Sequence, residues 1–171
     1  MQYLNSEDSE NEKNSWSARL ESAFTEKFNV NYAISHNSGT STLHSCLHAA
    51  DIGAGDEVII PTYTVICLAF SVIHQNAIPV FVDSNPETFN MDPVDIEKKI
   101  TPKTKAIIAV HMHGLPCDMD KIMRIAKKHN LVVIEDCAQS VLAEYKGQLT
   151  GLIGDMASFS FETKKHMTTG Q

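Results

Sequence analysis

Three short, uninterrupted apolar runs limit what this chain can fold into: Val58-Ile59-Ile60, Ile107-Ile108-Ala109-Val110 and Leu131-Val132-Val133-Ile134. A strand with one wet face alternates apolar and polar residues. A strand buried on both faces reads as a continuous apolar run instead. The stretches between the runs carry helical spacing. Strands alternating with helices predict an α/β fold, in which helices cover both faces of a mainly parallel sheet.

The expected elements follow from that alternation. Residues 1–15, rich in Asn, Ser and Glu, show no apolar periodicity and are expected to form a polar flexible tail. Trp16, Leu20, Phe24 and Phe28 stand four apart and predict a short helix. Strands are expected at 30–34, 57–61, 78–83, 105–111, 131–136 and 156–161. Helices are expected at 40–50, 65–75, 93–100 and 118–129. Pro102 stops the third of these. The fourth is acidic in its first turn and basic in its last, which suits the helix dipole. Gly53-Ala54-Gly55-Asp56 predicts a turn. At 171 residues the chain suits one core, so residues 16–171 are expected to form a single domain.

Charge narrows the function. A net charge of −7 with no basic cluster argues against a nucleic-acid partner. No apolar run reaches membrane-spanning length, and the polar, acidic N-terminus is neither a signal nor a transit peptide. Cys46, Cys67, Cys117 and Cys137 form no C-x-x-C pair, so reduced thiols and a cytoplasmic location are expected.

The candidate chemistry lies at the ends of the expected strands. Asp136 closes one apolar run, where ligands of open α/β sheets bind, and Gln139 follows three residues later. Ser160 lies in the last strand, and Lys165 follows in the loop beyond it, beside Lys164. A lysine and an aspartate from different strands suit pyridoxal phosphate (PLP), the amine holding the aldehyde as a Schiff base and the carboxylate facing the pyridine nitrogen. Asp136 is equally suited to cap a helix, and spacing alone does not choose between the two lysines. Ser38-Gly39-Thr40, entering a helix, suits a phosphate cradle of backbone N–H groups, or a plain Ser/Thr N-cap. His44 and His48 have the i, i+4 spacing of metal ligands without an evident third, and no metal is expected. His111, at a strand end, either lines the pocket or makes a structural hydrogen bond. There is no G-x-G-x-x-G, Walker A or G-x-S-x-G sequence.

Taken in order, several segments resemble the DegT/DnrJ/EryC1/StrS family of PLP-dependent nucleotide-sugar aminotransferases. They are Asn37-Ser38-Gly39-Thr40, Gly53-Ala54-Gly55-Asp56-Glu57-Val58-Ile59-Ile60-Pro61, Pro79-Val80-Phe81-Val82-Asp83, Thr104-Lys105-Ala106-Ile107-Ile108, His113-Gly114-Leu115-Pro116-Cys117-Asp118-Met119-Asp120, Glu135-Asp136-Cys137-Ala138-Gln139, and Phe159-Ser160-Phe161 leading to Lys165 and Thr169-Gly170. The resemblance runs from about Arg19 to the last residue.

The resemblance implies a PLP-dependent, aspartate-aminotransferase-like (fold type I) large domain and a cytoplasmic homodimer that serves polysaccharide biosynthesis. The implied reaction moves an amino group from glutamate or glutamine to a keto sugar on a nucleotide. Lys165 matches the lysine that carries the cofactor and moves the proton, and Asp136 the carboxylate that keeps the pyridine nitrogen protonated. Gln139 is implied beside the cofactor ring, and Gly39, Thr40 and Ser160 at the phosphate. Val65 stands where the family often has an aromatic ring; it packs on the cofactor but gives up a stacking contribution of about 0.5–1.5 kcal/mol. One branch, the sugar 3-dehydratases, has histidine at the lysine position; here the histidine, His166, is one residue later, which favours transamination. Gln171 stands at a usually acidic position. The smaller C-terminal domain of the family is expected to be absent, so a non-catalytic PLP-binding fragment or split-gene product is the alternative reading. An incomplete sheet is expected to promote association.

Overall fold

A computed structural model describes residues 15–169; the expected tail, apart from Ser15, and the residues Gly170 and Gln171 lie outside the described residues. The described residues divide between Asn37 and Ser38 into two compact units.

The first unit is built on α1 (Trp16–Phe28). The Ser15 side chain caps it by accepting from the Ala18 N–H, and Asn29, at φ 51°, ends it in the left-handed conformation. Phe24 and Phe28 stack, with ring centroids 4.2 Å apart. The strand expected at 30–34 does not form, and Tyr32 and Ile34 are exposed. A strand needs a ladder partner. In this unit the segment is instead fastened by Glu21, whose carboxylate accepts from both the N–H and the hydroxyl of Ser35 at 2.7 Å.

The second unit contains the sheet. Five parallel strands, β1 (Glu57–Pro61), β2 (Ile78–Val82), β3 (Thr104–Val110), β4 (Val132–Asp136) and β7 (Met156–Ser158), stand in the order β2-β1-β3-β4-β7. Helices α2 (Gly39–Ala49) and α3 (Cys67–His74) contribute Leu43, Leu47, Leu68 and Val72 to one core, where they meet Val58, Ile60, Ile108 and Ile134. Helices α4 (Pro93–Lys99) and α5 (Met119–His129) bring Ile96, Ile122 and Ile125 to a second core with Ile59, Ile107, Ala109 and Val133. Successive residues of each apolar run thus enter opposite cores, which is why the runs are continuous.

The connection from β1 to β2 runs one way along the sheet, with α3 on one face. Those from β2 to β3 and from β3 to β4 run back, with α4 and α5 on the other. Crossovers of a single hand require this arrangement. The direction of winding reverses between β1 and β3, and a ligand crevice is expected beyond the carboxyl ends of strands at such a switch point.

Two differences from the sequence reading have local causes. The last sheet strand stops at Ser158 rather than 161, because Ser158 pairs with Asp136, the final residue of β4, and no ladder partner lies beyond. A small hairpin, β5 (Glu144–Tyr145) and β6 (Gln148–Leu149), joins β4 to β7 through Lys146 and Gly147, both at positive φ (53° and 83°). That conformation suits a two-residue hairpin turn, but Lys-Gly lacks the usual Asn or Asp signal. Among the described residues no helix is long and apolar enough to cross a membrane.

Candidate active site

The carboxyl ends of β3, β4 and β7 open into a cleft of about 610 Å3 lined by His113, Ala138, Gln139, Lys164, Lys165 and His166. Asp136 ends β4 and is buried, only 8% exposed. Its Oδ1 accepts the Ala138 N–H at 3.0 Å. Burial dominates, pushing the Asp136 carboxyl above its ordinary value of 3.8, while the Ala138 N–H, Lys165 and His111 oppose that shift.

The two lysines differ. Lys165 is half-buried, and its backbone N–H donates to Glu162 O at 2.9 Å in a turn that directs the residue into the cleft. Lys164 is exposed, with its N–H held by the Glu162 carboxylate. Lys165 is the lysine that interacts electrostatically with Asp136.

At the start of α2 the N-cap reading of Ser38 holds. Ser38 is an N-cap, accepting the Ser41 N–H at 3.2 Å. The first N–H groups of the helix still have no intrahelical partner. Ser160 comes so close to Gly39 that a Cβ placed there would lie 3.1 Å from the Ser160 Cβ and 3.3 Å from its hydroxyl. Two backbone N–H groups, a residue without a side chain and a facing hydroxyl form a cradle fit for a phosphate. Thr42 and Ser158 share a short hydroxyl–hydroxyl hydrogen bond, and Ser158 pairs with Asp136, so the cradle is tied to the strand beside the carboxylate. Thr40 lies in this first helical turn.

Gln139 lines the cleft and accepts the His113 N–H at 3.0 Å. Val65 lies in the loop between β1 and α3, half-exposed, and is not among the residues lining the cleft. Tyr63, from the same loop, reaches His113 with its hydroxyl 3.5 Å from Nε2, and Phe89 completes a group of three rings with centroids 5.6–6.4 Å apart. Sequence reasoning missed this group. Its signal was the positive φ of His113 and Phe89, which no sequence pattern discloses.

His111 does not line the cleft. It is fully buried between Cys117 and Glu135. Among the described residues, His111, Glu135 and Cys137 form the one trio close enough to share a metal ion. The Cys117 N–H occupies His111 Nδ1, so the ring proton sits on Nε2 and donates to Glu135, which leaves no ring lone pair for an ion. His44 meets His74 edge to face at 5.9 Å. All four cysteines are free, and burial pushes the thiols of Cys46 and Cys117 up to about 11 and about 12.

The sequence model of the DegT/DnrJ/EryC1/StrS aminotransferase family matches residues 4–171. The chain is 50% identical over 152 residues to the GDP-perosamine synthase of Caulobacter vibrioides, covering 89% of this chain and 41% of that protein. It superposes on the aminotransferase from Psychrobacter cryohalolentis with a TM-score of 0.87 at 48% identity, covering 90% of this chain and 39% of that one. A putative sugar aminotransferase from Streptococcus pneumoniae, solved in its PLP form, superposes with a TM-score of 0.85 at 34% identity, covering 89% and 43%. The chain therefore spans about two-fifths of the length of the relatives it matches.

Proposed function

The chain belongs to the DegT/DnrJ/EryC1/StrS aminotransferase family, and from that premise we propose that it forms the cofactor-binding part of a PLP-dependent nucleotide-sugar aminotransferase. Residues 16–171 belong to the large domain of that enzyme. The reaction moves an amino group from glutamate or glutamine to a keto sugar carried on a nucleotide. The enzyme works as a cytoplasmic homodimer and serves polysaccharide biosynthesis.

The observation that carries this reading is the placement of Lys165 in a cleft that Ala138 and Gln139 also line, directly beyond Asp136, the buried last residue of β4. PLP, when bound, supplies an electron sink for the pair left behind when a substrate C–H bond breaks. Asp136, buried at a strand end, would set a carboxylate opposite the ring nitrogen. Lys165 would hold the cofactor by its amine and serve as acid and base for the proton. Gly39, Thr40 and Ser160 would hold the phosphate, Gln139 would face the ring from the cleft wall, and Val65, in the loop after β1, would have to turn inward to pack on it. Lysine at 165, with histidine one residue later, favours transamination over dehydration.

The test is an absorption spectrum of the purified protein with PLP, before and after borohydride, with the reduced adduct mapped by mass spectrometry. An adduct at Lys165 supports the reading. A protein that takes up no PLP at a specific lysine overturns it and leaves a non-catalytic relative.

A further inference from the structure

Glu135 is fully buried and its carboxylate accepts four hydrogen bonds. Oε2 receives His111 Nε2–H and the Gly151 N–H, both at 2.9 Å, and Oε1 receives the N–H groups of Ile153 and Gly154, both at 2.7 Å. Four bonds use all the acceptor sites of a carboxylate. The donors come from two places: His111 follows β3, and Gly151 to Gly154 form the loop that enters β7. The carboxylate therefore ties β4 to its two neighbours, to the carboxyl end of β3 and to the loop that leads into β7. The loop is fitted to it closely, since a Cβ at Gly154 would lie 2.8 Å from Val133 O and 3.3 Å from Glu135 Cγ.

Side chains alternate along β4, so Glu135 lies on the opposite face of the sheet from Asp136 and does not enter the cleft. Everything it fixes nevertheless bears on the cleft. Asp136 is the next residue, and its carbonyl accepts the His111 N–H at 3.2 Å. Beyond the Gly151–Gly154 loop come β7, then Ser160 and Lys165. Asp136 and Lys165 lie on separate segments, and those segments are joined both by the β4–β7 ladder and by the Glu135 carboxylate.

We propose that Glu135 is a positioning residue for the aminotransferase reaction, setting the separation of Asp136 and Lys165 by tying the end of β3 and the loop into β7 to β4. This rests on the reading of the cleft as a PLP site.

Glu135→Gln tests it, because the amide keeps the shape but turns an NH2 group toward backbone donors. Three readouts are expected in the folded variant. Amide exchange at Gly151, Ile153 and Gly154 in the cofactor-free protein accelerates at least tenfold relative to other strand amides. PLP affinity falls about tenfold. The pH midpoint of the bound cofactor's absorbance moves by about one unit. Ile122→Val, a core truncation in α5, is the control: it lowers Tm without moving the midpoint. If Glu135→Gln does not fold, His111→Leu removes one donor of the four, and the same shifts are expected on a smaller scale. Unchanged exchange and an unchanged midpoint in a wild-type protein that forms the Lys165 adduct overturn the positioning role alone. A wild-type protein with no such adduct overturns the cofactor reading and this proposal with it.

Discussion

Glu135 and Asp136 are adjacent on one strand, yet their carboxyls shift in opposite directions. Burial works against the charge of both. For Glu135, hydrogen bonds from His111, Gly154, Gly151 and Ile153 outweigh burial and hold the carboxyl below its ordinary 4.5. Asp136 has one backbone donor, the Ala138 N–H, and feels the charge of Lys165, and burial prevails over both. The difference follows from the pleat: one residue faces a loop rich in N–H groups, the other a cleft open to a ligand.

The signs of the pH effects follow. Glu135 has a depressed pKa in the fold, so the stability it contributes is present above about 4.5 and is lost as pH falls through the folded value. Chemical unfolding is expected to show wild type more stable than Glu135→Gln by about 3 kcal/mol at neutral pH, the usual scale for breaking a buried charged network. The gap narrows as pH drops below 4.5. A gap independent of pH would contradict an ionised Glu135.

Asp136 carries the opposite sign. Its raised pKa means that the cofactor-free fold loses stability as pH rises from 3.8 through the folded value. Asp136→Asn keeps an acceptor for the Ala138 N–H and removes a carboxyl whose ionisation burial opposes, so the cofactor-free variant is expected to melt higher than wild type at neutral pH. Residual PLP binding with turnover down at least a hundredfold is the expected functional result, in line with the loss of a positioned charge. Undiminished turnover would refute the role given to Asp136.

For the lysine pair, Lys165→Ala is expected to abolish the borohydride-trapped adduct. Lys164→Ala keeps it, because Lys164 is the exposed member. The reverse result, read by peptide mapping, would shift the site by one residue.

Gly39→Ala probes the cradle. Alanine favours the helix by about 0.5–1 kcal/mol, while its methyl group presses on Ser160, so overall stability changes little. The methyl occupies the space between helix and hydroxyl, and PLP affinity is expected to fall about tenfold in a fluorescence titration. Equal affinity would remove the phosphate from this corner.

Much of the architecture was legible because it depends on short-range rules. The continuous apolar runs disclosed strands buried on both faces, and Asp118 and the basic last turn disclosed α5, which begins one residue later. The Lys146–Gly147 hairpin was not legible, since its backbone conformation lies outside the usual residue pairs. At the site, residue types and order nominated Lys165, Asp136, Gln139 and Gly39. What the sequence could not disclose was how they are held. Whether His111 entered the pocket depended on Cys117 N–H and Glu135, partners 6 and 24 residues away.

Tyr63, Phe89 and His113 come from the loops after β1, β2 and β3, and neither core includes them. Because the sheet is covered on both faces, only its rim is free to vary without disturbing the packing beneath. Substitutions in these three loops can therefore alter the mouth of the cleft while leaving the two cores beneath as they are.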